Sequence, residues 1–197
     1  MKIIEKIREL KQGNNKIWEQ PIARKFFRPM AVEIETGQFL YGLVRAVKPI
    51  NAVEVGTFEG FSAINIAQAL KDNGIGKLHT IDCKNYFPQE MFKNYKVQTW
   101  INQVIGFSPS ALEKIVSENN IDFAFLDGEH TGNAVLNELE VLHKYFRAES
   151  YITGHDYTRY PDIKQAVDNF VKKYPSTYEK TIITTFAGIF VLRKIKN

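Results

Sequence analysis

At 197 residues, 44% hydrophobic and 24% charged, the chain has the composition of an ordinary globular protein and is long enough for one full core. A single cysteine, Cys83, excludes a disulfide framework and a multi-thiolate zinc site. No apolar run reaches the roughly 18 residues of a bilayer span. The charged start MKIIEKIREL lacks the apolar core of a signal peptide, so a cytoplasmic protein is expected. The net charge of +4 belongs to the first 30 residues, which hold eight Lys/Arg against three Glu. The body is close to neutral, and nucleic acid is disfavoured as a partner. In the basic stretch Lys16, Arg24, Lys25 and Arg28 alternate with Ile17, Trp18, Ile22, Phe26 and Phe27. That pattern predicts an amphipathic helical arm or lid over residues 1–37, laid against a core of residues 38–197.

From Gln38 to Val47, Leu40, Leu43, Val44 and Val47 recur at helical spacing. Ala52–Gly56 is short and apolar and ends at a glycine, as a buried strand does. Ser62–Leu70 reads as a helix with Ile64, Ala67 and Leu70 on one face. Lys77–Asp82 is a second strand ending in an acid. Residues 83–96 have no clear period, and a third strand falls within Val97–Gly106. Ser108-Pro109 is a helix-start signal, with the hydroxyl as cap and proline in the first turn. Ile121–Leu126 is a fourth strand, followed by Asp127-Gly128-Glu129-His130 and a helix marked by Val135, Leu139, Leu142 and Phe146. Ser150–Thr153 is a fifth strand, leading into Gly154-His155-Asp156. A helix over Ile163–Val171 and a hairpin, Thr181–Thr185 with Ile189–Leu192, complete the chain.

This alternation predicts an α/β, Rossmann-like, doubly wound sheet, mostly parallel, with a C-terminal antiparallel hairpin and helices on both faces. Ligands in such sheets bind beyond the carboxyl ends of the strands. Those ends are Gly56, Asp82, Gly106–Ser108, Asp127 and Asp156.

The richest stretch is Glu54-Val55-Gly56-Thr57-Phe58-Glu59-Gly60-Phe61-Ser62. Gly56 permits a sharp turn off the strand, and Gly60 a close approach of the next helix. A dinucleotide fingerprint needs G-x-G-x-x-G, and here Phe58 fills the place of the middle glycine. A bulky side chain there crowds a pyrophosphate. Glu54 stands where it can meet an amino or cationic group. Asp127 and Asp156 end neighbouring strands, so their like charges converge and call for a cation or a proton between them.

E-x-G-x-x-x-G-x-S resembles motif I of the class I S-adenosylmethionine-dependent methyltransferases. The form without the middle glycine is similar to the small-molecule O-methyltransferases of the catechol and caffeoyl-CoA type. Phe123–His130 with Gly154–Tyr157 resembles the group that contains the macrolide-sugar O-methyltransferases. The resemblance covers roughly residues 38–194 and implies a small-molecule substrate and S-adenosylmethionine as cofactor. It implies cofactor contacts at Glu54, Gly56, Thr57, Phe58, Gly60, Ser62, Asp82, Phe107, Ser108 and Asp127, with Asp82 on the ribose and Phe107 and Ser108 at the adenine.

The same resemblance implies a divalent metal, Mg²⁺ or Mn²⁺, at Asp127 and Asp156, which would lower the pKa of a substrate hydroxyl. At the third-ligand position these families have an asparagine or an acid; here it is Tyr157, a poor ligand, so His130 or His155 is the alternative donor and would favour Mn²⁺ or Zn²⁺. The proton acceptor falls on His130, at the spacing of the catechol type's lysine, or on Glu129, with Asp127 beside them. His79 and His143 lie inside elements and read as structural. Methylation of RNA or protein through the basic arm, and a non-catalytic domain of the same fold, are the alternatives; homodimerisation is left open.

Overall fold

The computed structural model of the protein describes residues 31–197; of the arm expected over residues 1–37, residues 1–30 fall outside them. Helix α1 (Ile34–Val47) opens earlier than its apolar spacing indicates. Glu33 closes its first turn: the Thr36 hydroxyl donates to Glu33 Oε2 at 2.9 Å, and the Gly37 N–H to the Glu33 carbonyl. Then follow β1 (Asn51–Val55), α2 (Phe61–Asn73), β2 (Lys77–Asp82), a short α3 (Gln89–Asn94) in the stretch without a clear period, and β3 (Ile101–Ile105). Helix α4 (Ser110–Glu118), β4 (Phe123–Leu126), α5 (Gly132–Tyr145), β5 (Tyr151–Gly154), α6 (Pro161–Lys173), β6 (Tyr178–Ile183) and β7 (Ile189–Lys194) complete the described chain.

The described strands form a seven-stranded sheet in the order β3-β2-β1-β4-β5-β7-β6. The first five are parallel, and β7 runs antiparallel to both β5 and β6. The fold class is the one the strand–helix alternation implies. Both faces of the central strands are covered, so alternate residues of a strand enter different cores. Val53, Val55, Ala124, Leu126 and Ile152 join one cluster with residues of α4, α5 and α6. Ala52, Phe123 and Phe125 join the other, with residues of α1 and α2. The chain order reverses at β1, which has β2 on one side and β4 on the other, and this opens a crevice at the carboxyl ends of those strands.

One local expectation is corrected. Ser108 does not cap α4: the helix begins at Ser110 without a side-chain cap. The Ala111 and Glu113 N–H groups are taken by the carbonyls of Phe107 and Pro109 instead, which leaves the Ser108 hydroxyl for the crevice. His143 is structural as expected, stacked on Tyr174 at 3.7 Å and bonded through Nδ1 to the Tyr178 hydroxyl at 2.9 Å. His79 meets the Asn102 side chain at 3.2 Å across β2 and β3.

Strand β5 approaches β7 closely at Gly154, where an added Cβ would lie 2.3 Å from the fully buried ring of Phe190 and 3.2 Å from the Leu126 carbonyl. Gly154→Ala should therefore destabilise the fold by about 2 kcal/mol. A urea midpoint equal to that of the parent protein would contradict this packing.

Candidate active site

A cavity of about 400 Å³ occupies the crevice. Its floor is the turn after β1. Gly56 lies at φ +99°, and an added Cβ there would come within 2.1 Å of the Asp127 carbonyl oxygen, so the loop rests directly on the end of β4. Phe58 also has positive φ, at +45°, and its N–H donates to Asp82 Oδ2 at 2.8 Å. The Lys84 N–H donates to Asp82 Oδ1 at 3.0 Å, so the carboxylate is fixed at the rim by two backbone donors. Eight residues expected at the cofactor line this cavity: Gly56, Thr57, Phe58, Ser62, Asp82, Phe107, Ser108 and Asp127.

Glu54 and Gly60 do not line it. Glu54 is two residues before Gly56 and points into the core between β2 and β4, opposite Thr80 and Phe125. It is fully buried and accepts the Thr80 hydroxyl at 2.5 Å, and Thr80 in turn meets the Thr57 hydroxyl at 2.6 Å. Burial pushes its carboxyl up to about 8, against hydrogen bonds from Ser62 and Thr80 that favour the ionised form. The acid thus braces the loop from below. Gly60 serves packing as well: a Cβ would meet the Phe92 ring at 2.5 Å.

The ends of β4 and β5 hold the charged part of the site. His130 Nδ1 lies 2.7 Å from Asp156 Oδ2 and 3.9 Å from Asp127 Oδ1. Asp156 sits at φ +63°, a left-handed conformation that aspartate tolerates better than most residues. His155 is wedged behind the pair, with Nδ1 3.2 Å from Asp127 Oδ1 and Nε2 2.7 Å from Glu33 Oε2. Burial opposes charge on His155, but the carboxylates of Asp127 and Glu33 outweigh it and raise its pKa to about 10. Glu33, in turn, is lowered to about 2 against the pull of burial by its bond to His155. Asp127 is raised by burial, partly offset by both histidines. His130 is raised by its hydrogen bond to Asp156.

Three carboxyl groups, Asp127, Asp156 and Glu33, therefore converge on His155, with His130 on the other side of Asp156. Asp127 Oδ1 and Asp156 Oδ1 are buried without a well-formed hydrogen bond. Asp127, His130 and Asp156 offer ligand atoms within 4.8 Å of one another. This donor set suits a divalent cation.

Tyr157 is no part of it. The turn at Asp156 sends the Tyr157 ring to the far side of β5, where its hydroxyl donates to Asp168 at 2.6 Å and accepts from Lys180 at 3.2 Å. Glu129 lines the cavity beside His130, exposed at its mouth. Glu33 and Glu138 also belong to the neighbourhood and were not among the expected residues. Glu33 is 122 positions from its partner His155, a distance no local pattern bridges. Glu138 had a signal: it is an acid within the apolar stripe of Val135, Leu139 and Leu142.

A family model of methyltransferase domains matches residues 53–157, which span the glycine loop, Asp82 and both aspartates. The chain belongs to this methyltransferase-domain family. Among relatives of the domain, the tapetum-specific methyltransferase 1 of Arabidopsis thaliana is 30% identical over 105 residues, 52% of this chain and 45% of its own. The caffeoyl-CoA O-methyltransferase of Stellaria longipes is 28% identical over 100 residues, 48% of this chain and 42% of its own. The chain thus matches about half the length of these relatives. In structure, the methyltransferase domain is similar to the O-methyltransferase from Bacillus cereus in complex with SAH, with TM-score 0.73, 20% identity and 86% of each chain covered. At that identity the likeness is one of fold. Among the described residues, no helix is long and apolar enough to cross a membrane.

The raised Glu54 carboxyl makes stability depend on pH. Between its ordinary value of 4.5 and its folded value of about 8, the native state binds a proton that the unfolded state has released, so stability falls as pH rises through that range. Glu54→Gln keeps the acceptor for Thr80 without titrating. Its stability relative to the parent should climb between pH 5 and 8, by up to about 1.4 kcal/mol per pH unit. Denaturant titrations at several pH values check this, and a constant difference across the range is the contrary result.

Proposed function

We propose that the protein is an S-adenosylmethionine-dependent methyltransferase that methylates a hydroxyl of a small molecule, assisted by a divalent metal. The observation that carries this reading is the convergence of Asp127, His130 and Asp156, whose ligand atoms lie within 4.8 Å of one another and whose Asp127 and Asp156 Oδ1 atoms are buried without a well-formed hydrogen bond, beside a cavity that Asp127, Asp82 and the Gly56 loop line. Bound S-adenosylmethionine supplies a methyl group on a sulfonium, which leaves as a neutral thioether. A divalent metal held by Asp127 and Asp156 supplies a Lewis acid that lowers the pKa of the acceptor hydroxyl.

The remaining work falls to the chain. Asp82, already fixed by the Phe58 and Lys84 N–H groups, keeps lone pairs for the ribose hydroxyls. The Gly56 loop holds the amino acid end, and Phe107, strongly exposed at the rim, offers a flat face to the base. His130 is the proton acceptor: with Nδ1 directed to Asp156 Oδ2, its Nε2 is left to take the hydroxyl proton as the oxygen attacks the methyl carbon. In this reading Asp156 orients the ring, and His130 is a metal ligand only when that bond is given up. Glu129, exposed at the mouth of the cavity like His130, stands second as acceptor. His155 holds Asp127 from behind and is itself held by Glu33. Most of the rate comes from placing nucleophile and methyl in line, and from charge placed in advance.

Calorimetry with S-adenosylhomocysteine tests the cofactor assignment. Asp82→Ala should weaken binding by at least about tenfold, in line with the loss of charge-assisted hydrogen bonds; unchanged affinity rejects the ribose role. Binding of Mn²⁺, followed by its paramagnetic resonance signal, tests the metal. Asp127→Asn and Asp156→Asn should each abolish it, and EDTA should stop methyl transfer to a catechol probe. Full activity in EDTA sinks the metal assignment and leaves the cofactor assignment standing.

A further inference from the structure

Helix α5 puts an acid into the wall of the cavity that the reaction described above does not use. Glu138 is 3% exposed and lines the cavity together with Ala134, one turn earlier on the same helix face. Across from them lie Gly106, Phe107 and Ser108, at the end of β3. Among the described residues the charge acting on Glu138 is that of Glu129, another acid. The Ser108 hydroxyl sits close enough to favour the ionised form, yet is itself buried without a well-formed hydrogen bond. Burial raises the Glu138 carboxyl to about 7, so near neutrality it is present both as acid and as carboxylate. A buried carboxyl with no cation against it, facing a buried hydroxyl that makes no well-formed hydrogen bond, is costly in an empty protein and points to a ligand that supplies hydrogen bonds.

The strand order says which part of the ligand that is. The acids that serve the acceptor hydroxyl are at the ends of β4 and β5, the glycine loop follows β1, Asp82 ends β2, and Ser108 follows β3 at the far edge. A nucleoside donor with its reactive group at Asp127 and its sugar at Asp82 extends its base to the β3 end. We propose that Glu138, with Ser108 opposite, reads that base: its carboxyl accepts from the exocyclic amino group of a 6-aminopurine and, as the acid, donates to the neighbouring ring nitrogen. Ala134 keeps the wall low enough for the ring to slide in beneath Phe107. This specificity contact rests on the S-adenosylmethionine reading of the cavity.

The test compares S-adenosylhomocysteine with its analogue lacking the 6-amino group, by calorimetry, on the whole protein. The parent protein should prefer the amino form by about tenfold, the worth of one buried hydrogen bond to a charged or acidic group. Glu138→Gln, whose amide oxygen still accepts, should keep the preference. Glu138→Leu should erase it by weakening only the amino form and leaving the analogue's affinity as it was. Equal affinities in the parent protein overturn the proposal whether or not the leucine variant folds, and so does a preference that survives in that variant. A parent protein that binds neither ligand overturns the cofactor reading itself, and the base contact with it.

Discussion

The site depends on one buried cation. Ending parallel strands in acids brings carboxylates together at one edge of a sheet, where burial makes each of them costly. Here Asp127 and Asp156 meet at the ends of β4 and β5, and Glu33 joins them from the start of α1. The His155 imidazolium touches Asp127 and Glu33 and lies 3.6 Å from Asp156 Oδ1. It is what allows the three acids to share one corner of the fold. It also ties α1 to the centre of the sheet, so that Ala31 and Val32, which line the cavity, are carried on a segment anchored to the acids.

That arrangement splits the crevice into two kinds of chemistry. Toward β1, β2 and β3 the polar groups are backbone donors, hydroxyls, the fixed carboxylate of Asp82 and, from the α5 wall, the carboxyl of Glu138. Toward β4 and β5 they are acids interleaved with histidines, Asp127 and Asp156 with His130 and His155. In the proposed reading, a cofactor with a neutral nucleoside at one end and a cationic sulfonium nearer the other matches both halves. The cation would be drawn toward Asp127, and the reaction that discharges it would take place beside the acids. The same division explains why Glu54 had to be turned away from the cavity. A further ionised acid beneath Asp127 would raise the local charge, and burial keeps Glu54 largely protonated at neutral pH instead.

What could be read from the sequence follows from the range of each interaction. The strand ends were legible because a short apolar run stopping at Asp82, Asp127 or Asp156 is a local signal. Their convergence followed from the parallel topology, which the strand–helix alternation implies. Glu54 was misplaced although the two-residue period of a strand held the answer: it shares its face with Ala52, whose cluster lies between the sheet and α1 and α2. Tyr157 was read as a poor ligand, but where its ring goes was not legible, for a different reason. The positive φ of Asp156 reverses the direction of the next side chain, and no residue pattern announces a left-handed aspartate. The bond between Glu33 and His155 is purely tertiary.

Two residues of the site with positive φ, Phe58 and Asp156, show how its strain is carried. A left-handed conformation costs an ordinary residue on the order of 1 kcal/mol, so glycine is the expected occupant. Phe58 and Asp156 adopt it without that freedom. In both cases a carboxylate hydrogen bond offsets the cost: the Phe58 N–H is held by Asp82, and the Asp156 side chain is held by His130. In each case the same bond fixes a functional group, so the strained backbone and the positioned side chain come as one unit. For Phe58 this also accounts for the missing middle glycine: the loop takes the glycine-like turn while its ring packs edge-on against Tyr86 at 4.9 Å. The Phe58 and Tyr86 rings thereby form a wall of the cavity at the place where a dinucleotide fingerprint has its middle glycine.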